Sequence, residues 1–263
     1  MSIDYPEIDE VIKYIHKHLD DQLSLERLAN YAAYSPYHFN RIFKERVGVP
    51  PRYYVSSIRL QKAKDLLLKT NLSVRDIGME VGQQSLGTFT TRFTQKVGVS
   101  PVQFRKSRHQ ADYHLNSLKN LTDWSNDTPP VYTSSEVQGT IQAEHSFRGI
   151  ILVGLFSKPI PEGLPLYGTL LSSLGNFHFQ NVQPGIYYLM ATAVTWEMET
   201  TDMLLPHTNL RAKSEHAVTV NPNAITGRQQ LTLREPRLDD PPILISLPLL
   251  IQNFFTRVSQ HSN

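Results

Sequence analysis

The sequence predicts a multidomain α + β protein, in which an all-α domain over residues 1–108 precedes an antiparallel β-sandwich domain over residues 135–263. The first observation is a repeat, because residues 24–53 and 73–105 carry the same helical pattern at an offset of 49 or 50 residues. The second is a change of period, since short apolar runs separated by turn residues fill the C-terminal half. The third is the polar, proline-bearing stretch between the halves, residues 109–134, which is typical of a linker.

Composition places the chain among folded globular proteins. Of its 263 residues, 40% are hydrophobic and 19% are charged. The longest apolar runs fall short of the ~20 residues that span a bilayer, and the N-terminus lacks a secretory pattern. The absence of cysteine excludes disulfides, thiolate metal sites and cysteine nucleophiles, and it suits a reducing compartment. We therefore expect a cytoplasmic protein with no membrane partner.

Charge is distributed unequally between the two halves. Residues 1–110 hold 17 Lys plus Arg against 11 Asp plus Glu, a net charge of +6. Residues 111–263 hold 9 against 13, a net charge of −4. A basic half joined to an acidic half indicates that the first half is the one to contact a polyanion.

Each copy of the repeat has the layout of a helix-turn-helix. The first reads Leu25, Leu28, Ala29, Ala32, Ser35, Phe39, Phe43, Gly48 and Pro51, and the second reads Val74, Ile77, Gly78, Val81, Gln84, Phe89, Phe93, Gly98 and Pro101. The offset changes by one residue between Ser35/Gln84 and Phe39/Phe89, which adds a residue inside the turn. The pattern predicts two helix-turn-helix modules, at about 24–48 and 73–98.

Capping residues and glycines mark the predicted helices. The helices are expected over 8–19, after the cap Ser24, over 36–46 between Ser35-Pro36 and Gly48, over 52–68, after Ser73, and, beyond Gly98, as a short helix from Pro101. The 17 residues of 52–68 give a rod of roughly 25 Å at 1.5 Å per residue. With its flanking modules, this rod could place two reading helices about 34 Å apart, one turn of B-DNA.

The helix from Pro36 is predicted to have two distinct faces. Its apolar face carries Phe39, Ile42, Phe43 and Val47, and its polar face carries Tyr37, Asn40, Arg41 and Lys44. Asparagine pairs with adenine and arginine with guanine in the major groove, and each bidentate pair gives ~1–3 kcal/mol of discrimination. A polar face of this kind is otherwise a solvated surface. Inside a duplicated helix-turn-helix we interpret it as a base-reading face.

The second copy keeps the packing face but changes the outward one. Phe89, Phe93 and Val97 form its packing face, while Leu86, Gly87, Thr88, Thr91 and Gln95 point outward. Short hydroxyl side chains read bases weakly, so we expect copy one to specify sequence and copy two mainly to position the protein. The predicted base contacts are therefore Tyr37, Asn40, Arg41, Thr88 and Thr91. The predicted phosphate and positioning contacts are Ser35, Lys44, Arg59, Ser85, Arg92 and Lys96.

Residues 8–108 resemble the AraC-type DNA-binding domain of bacterial transcription regulators. The matching elements are Leu28-Ala29-x-x-Ala32-x-x-Ser35, Phe39-x-Arg41-x-Phe43-Lys44-x-x-x-Gly48, Arg59-x-x-x-Ala63-x-x-Leu66-Leu67 and Phe93-x-x-x-x-Gly98-Val99-Ser100-Pro101-x-x-Phe104-Arg105. The resemblance implies that the third and sixth helices enter adjacent major grooves of promoter DNA. It places Tyr37, Asn40 and Arg41 as base readers, with Leu86, Gly87, Thr88 and Thr91 at the matching positions. The chain departs from the family at Gly78, Gly82-Gln83, Thr91 and Phe93-Thr94.

The C-terminal half is predicted from alternating and buried apolar runs. Strand signals begin at Val137, and strands are expected at 149–156, 175–179, 186–194, 217–220, 229–233 and 243–247, with an amphipathic helix at 248–259. The run through Gly149–Phe156, Gly175-x-Phe177-x-Phe179 and Gly185-x-Tyr187-Tyr188 resembles the carboxypeptidase-regulatory or transthyretin-like β-sandwich. Members of that class are mostly binding or structural modules, so this resemblance predicts no chemistry.

No catalytic, metal or cofactor motif appears in the sequence. The histidines after residue 110 form no HExxH or other tight pair, and there is no phosphate loop or nucleophile elbow. We therefore expect a non-enzymatic, sequence-specific transcription factor without cofactors, whose partner is double-stranded promoter DNA. The β-domain is either an effector module or a constitutive protein-interaction module. RNA polymerase, a small-molecule effector and a second copy of the chain are candidate partners; the promoter and the choice between activation and repression stay open.

Overall fold

The structure, a computed structural model, describes residues 5–83, 85–119, 135–222 and 226–261. The chain divides into two compact units. The first unit is Met1–Lys106 with Arg237–Leu244, and the second is Ser107–Pro236 with Ile245–Asn263. Among the described residues, no helix is both long enough and apolar enough to cross a bilayer.

The first unit is helical, as predicted. Its helices are α1 (Pro6–Lys17), α2 (Leu25–Tyr31), α3 (Pro36–Val47), α4 (Pro51–Lys69), α5 (Val74–Glu80), α6 (Leu86–Val97) and α7 (Pro101–Lys106). The repeat thus maps α2–α3 onto α5–α6, with α4 between them. Gln84, the repeat position in the second turn, lies outside the described residues.

Helices α3 and α6 begin and end by the same chemistry. The Ser35 hydroxyl accepts a hydrogen bond from the His38 amide, and Ser85 accepts one from Thr88, both at 3.4 Å. Such N-caps stabilise a helix by about 1 kcal/mol each. Gly48 ends α3 with φ of 88° and Gly98 ends α6 with φ of 91°, the left-handed conformation that favours glycine.

Each module buries an equivalent ladder of three aromatic rings. Phe39 packs on Phe43, and Phe43 on Tyr54 of α4, with ring centroids 5.6 Å apart in each pair. In the second module Phe89 packs on Phe93 at 5.9 Å, and Phe93 on Phe104 of α7 at 5.8 Å. The repeat of 50 residues therefore extends from the recognition helices to the residues that support them.

The second unit combines helices with two sheets. Its elements are α8 (Arg108–Lys119), β1 (Val137–Ala143), β2 (Gly149–Phe156), β3 (Tyr167–Leu171), β4 (Gly175–Phe179), β5 (Gly185–Thr195), α9 (Thr200–Leu204), β6 (Arg211–Lys213), β7 (Val218–Val220), β8 (Gln229–Leu233) and α10 (Leu247–His261). One sheet has the order β4-β1-β8, the other β3-β2-β5-β6, and β7 pairs with β5. Alternate side chains of both sheets, such as Ile141, Phe177, Val153 and Leu189, belong to one buried cluster.

The sheet pairing corrects the expectation of a purely antiparallel domain. β1 pairs antiparallel with β4 but parallel with β8, with Gly139 opposite Gln229 and Ala143 opposite Leu233. Most of the predicted strands are present, and β3 and β6 were not predicted. Parallel pairing joins strands distant in the chain, so local alternation carries no trace of it.

The predicted strand at 243–247 is wrong. Ile243 and Leu244 are buried in an irregular segment that belongs to the first unit, and Leu247 begins α10. The preceding Pro241-Pro242 lacks the amide hydrogens that a strand would pair. The domain limit of 135–263 therefore has to exclude residues 237–244. Of the predicted linker 109–134, the part up to 119 is helical in α8 and the rest lies outside the described residues.

A lysine is buried in the first unit. Lys64 on α4 is 1% exposed, and its Nζ donates to the carbonyl oxygens of Ile243 and Leu244 at 3.2 and 3.4 Å. The same Nζ lies 5.4 Å from the centroid of the Phe104 ring. Burial lowers the pKa of Lys64 from 10.5 to about 7, although the charge of Asp65 acts in the opposite direction.

Replacing this lysine should change how stability depends on pH. Because the folded pKa of Lys64 lies below the unfolded one, the unfolded chain binds more protons between about pH 7 and 10.5. The contribution of Lys64 to the free energy of unfolding should therefore rise with pH in that window and be constant below it. In urea unfolding at a series of pH values, Lys64→Met should lose this rise. The prediction would be contradicted if the difference in free energy of unfolding between the parent and Lys64→Met stayed constant from about pH 7 to 10.5.

Candidate nucleic-acid interface

The outward face of α3 is polar and accessible. Tyr37 is 84% exposed, the Arg41 side chain is 55% exposed, and Lys44 is exposed, whereas Asn40 is half-buried. The opposite face, with Phe39 and its apolar neighbours, has no exposure. The structure therefore places the predicted readers of copy one together on the solvent face of one helix.

Arg41 lies along its own helix. One guanidinium nitrogen is 3.4 Å from Glu45 Oε2, and the other is 3.5 Å from His38 Nδ1. Both contacts are long for hydrogen bonds and lie on an exposed surface, where such pairs contribute little. The guanidinium is thus available to exchange these neighbours for a stronger bidentate acceptor.

The outward face of α6 is smaller. Leu86 is 47% exposed, and Gly87, Thr88, Thr91 and Arg92 are exposed as well. Apart from Arg92, these side chains are short or apolar. The difference between the two outward faces that the sequence indicated is present in the accessible surface.

A cleft of about 1510 Å³ is lined by residues of both modules. Asn40 from copy one and Thr88 from copy two both line it, and so does Arg92. Sequence reasoning missed two further basic residues in its wall, Arg52 and Arg75. Each stands in the first turn of a helix, beside Pro51 and Ser73, and neither belongs to α3 or α6.

One acidic side chain at the same cleft, Asp21, is paired with basic neighbours. Asp21 Oδ2 accepts a hydrogen bond from Arg27 Nη2 at 2.6 Å, and His18 Nδ1 lies 3.4 Å from the same oxygen. The hydrogen bond from Arg27 is the main cause that lowers the pKa of Asp21. The Arg27 guanidinium also donates to the Tyr14 hydroxyl at 2.6 Å, so the pair is fixed to α1.

Arg59, predicted as a phosphate or positioning contact, is half-buried in the wall of the cleft and donates to backbone carbonyls. Its Nε donates to the Leu19 carbonyl at 2.9 Å, and its Nη2 donates to the Asp21 carbonyl at 2.6 Å. Gly82, in the second turn with φ of 70°, lies so close that an added Cβ would be 2.9 Å from Arg59 Nη2. Arg59 therefore fixes the segment before α2 and supports the turn of the second module.

Three other predicted phosphate contacts also have structural partners. Lys96 Nζ lies 3.9 Å from the centroid of the Tyr53 ring, a cation–π contact between α6 and α4. The Ser35 and Ser85 hydroxyl oxygens cap their helices. Among the residues that the structure describes, no group of three or more His, Asp or Glu could hold a metal ion.

Comparisons with known proteins agree with this geometry. A family model for the helix-turn-helix domain matches residues 28–107. AarP of Providencia stuartii, an HTH-type transcriptional activator, is 34% identical over 100 residues, which cover 38% of this chain and 74% of AarP. AdaA of Bacillus subtilis, a bifunctional transcriptional activator and DNA repair enzyme, is 36% identical over 110 residues, 41% of this chain and 52% of AdaA.

Among solved structures, the C-terminal domain of AraT, a response regulator from Geobacillus stearothermophilus, is 31% identical, with a TM-score of 0.38. That match covers 47% of this chain and 96% of the AraT domain. The chain spans about half the length of AdaA.

Two capped helices, each with an outward face and its own aromatic ladder, define a helix-turn-helix protein with two modules. The identity to AarP over 74% of that regulator's length shows the family. The chain belongs to the AraC-type helix-turn-helix transcription regulators. The family model ends at residue 107 and leaves the strands of the second unit unassigned.

Two arginines of the cleft allow a direct comparison. Arg59→Gln should lower the free energy of unfolding by ~1–3 kcal/mol, because two carbonyl oxygens lose their donors. Arg92→Gln, on the exposed face of α6, should stay within about 0.5 kcal/mol of the parent. Urea unfolding followed by circular dichroism measures both. Equal losses in the two variants would refute the structural role assigned to Arg59.

Proposed function

We propose that this protein is a sequence-specific transcription factor that binds double-stranded promoter DNA through two helix-turn-helix modules in successive major grooves. The observation that carries the proposal is the outward face of α3, where Tyr37, Asn40 and Arg41 share one accessible surface above a fully buried packing face. The net charge of +6 over residues 1–110 supplies the attraction to phosphate.

The chemistry of the first module suits base recognition. The Asn40 amide can donate to and accept from adenine, and the Arg41 guanidinium can donate two parallel hydrogen bonds to guanine. Lys44 on the same face and Ser35 at the helix N-terminus fit contacts to phosphate. In this proposal, the guanidinium of Arg41 leaves Glu45 when it meets a base.

The second module is proposed to hold the duplex more than to read it. Thr88 and Thr91 can bond phosphate or touch a thymine methyl, and Arg92 adds a charge beside them. In this proposal, Lys96 and Ser85 contact the DNA phosphates while Lys96 stays on the Tyr53 ring and Ser85 still caps α6. Since both modules belong to one chain, the second module binds at a high effective concentration once the first is bound.

A binding titration against salt tests the proposal. The logarithm of the affinity should fall linearly with the logarithm of salt, with a slope of about −0.9 for each phosphate contacted. On a base-substitution panel, Arg41→Ala should lose ~1–3 kcal/mol of discrimination at one position, and Thr91→Ala should lose much less.

Two results would defeat this proposal in different ways. A salt slope near zero would refute DNA binding itself. Equal losses of base preference in Arg41→Ala and Thr91→Ala would refute the division of labour between the modules.

For the second unit we propose a β-sandwich that serves as an effector or partner module. The support is the single buried cluster shared by strands of both sheets, as in two-layer β-domains. An effector that binds the native unit should stabilise it by RT ln(1+[L]/Kd), which raises the temperature of its thermal transition, and by linkage it should change DNA affinity. A metabolite library screened by thermal shift on the full chain tests this. A library that shifts no transition would favour the constitutive partner module instead.

A further inference from the structure

The segment 237–244, here called the strap, is part of the first unit although it follows the strands of the second. Its first half is a tight turn, in which the Asp240 carboxylate accepts from the Arg237 amide at 2.8 Å. Its second half, Ile243 and Leu244, is buried. The strap therefore completes the unit that carries both recognition helices.

One end of the strap is anchored to the first module. Asp239 Oδ2 accepts from Arg46 Nη1 at 2.7 Å, and these side chains are only 16% and 24% exposed. Arg46 stands in the last turn of α3 and also lies 3.4 Å from Asp9 of α1. After burial itself, the charges of Asp239 and Asp240 raise the pKa of Tyr54, the residue that ends the aromatic ladder.

The other end of the strap is anchored where the connecting helix meets the second module. The carbonyls of Ile243 and Leu244 accept from the buried Lys64 of α4, whose Nζ also lies over the Phe104 ring of α7. Phe104 in turn supports Phe93 of α6. The anchor thus reaches the aromatic ladder of the second module.

Between its two anchors the strap is stiff. Only Asp240, Pro241 and Pro242 separate Asp239 from Ile243, so even a fully extended chain spans no more than ~14 Å there. Two consecutive prolines fix φ at both positions and lower the freedom of the chain. A displacement at one anchor is therefore transmitted to the other.

We propose that the strap is a positioning element for DNA recognition, which holds the two helix-turn-helix modules at the separation and orientation that successive major grooves require. Arg46, Lys64 and Asp239 are positioning residues in this scheme, because they act through the placement of α3 and α6. This inference rests on the proposed function. Since residues 236 and 245 continue into the second unit, the strap is also a route by which that unit can alter DNA affinity.

Asp239→Asn gives a test in which electrostatics and positioning predict opposite changes in DNA affinity. Removing a negative charge ordinarily strengthens DNA binding. If the strap positions the modules, the variant should instead lose about tenfold or more in affinity for a full site, a part of the ~10²–10⁴ gain from two linked modules. The probe is the duplex that the parent chain selects from a randomised library. Affinity for a duplex that keeps only the first half-site should not fall.

The spacing between half-sites supplies a readout that loss of stability alone would not move. The parent chain should bind a duplex much more weakly when its half-sites are moved apart or together by one base pair. In Asp239→Asn, affinity should depend less on the spacing between the half-sites, which gives a flatter spacing profile. Glu235→Gln is the matched control, because it removes the same charge from an exposed side chain just before the strap and should keep the parent profile.

Distances within the first unit can be measured without DNA. The chain has no cysteine, so spin labels at Lys13→Cys on α1 and Val102→Cys on α7 report the separation of the modules. The distance distribution should be narrow in the parent and broader or shifted in Asp239→Asn. If that variant does not fold, Pro241→Gly loosens the strap while keeping both anchors and should give the same broadening.

Three outcomes would overturn the inference: parent-like distances and spacing profile in the strap variant, equal losses in Asp239→Asn and Glu235→Gln, or an equal loss on the single half-site. Failure of the parent chain to bind any duplex would refute the proposed function instead. The distance measurement would still decide whether the strap holds the modules.

Discussion

Burial of a phenylalanine pair on one face of each recognition helix is the constraint on which the surface of the first unit depends. Phe39 and Phe43 are removed from water completely, and at about 25 cal/mol per Å² this burial outweighs any preference of the polar positions. With that face fixed, helical geometry leaves Tyr37 and Arg41 no direction but outward. The second module repeats the constraint with Phe89 and Phe93, so both helices are oriented by the same interaction.

The two modules are joined by more than a helical rod. Arg59 of α4 donates to backbone carbonyls ahead of α2 and touches the turn at Gly82, so one guanidinium supports both modules. Lys96 on the Tyr53 ring ties α6 to the start of the same helix. Several basic residues in this unit therefore maintain its shape, and net charge alone overstates how many are available to phosphate.

Local signals predicted the helical half well, because serine caps, the glycines Gly48 and Gly98 and a 3.6-residue apolar period act within a few residues. The outward direction of the positions on α3 that we propose as base contacts followed from the same period. The role of Arg59 could not be predicted, since its partners are carbonyls 38 and 40 residues away. The apolar run at Ile243 was misassigned because periodicity shows that a segment is buried without showing which core buries it. The parallel partner of β1 is equally non-local.

The path of the chain limits how such a protein can be assembled from parts. The backbone leaves the first unit at Lys106, returns for Arg237–Leu244 and leaves again. If the chain were divided once between the halves, Lys64 on α4 would lose the carbonyl acceptors of Ile243 and Leu244, and its buried amine would lack these partners. Exchange of the β region by recombination at one junction is therefore disfavoured, and the two units have to be inherited together or re-adapted to each other after any transfer.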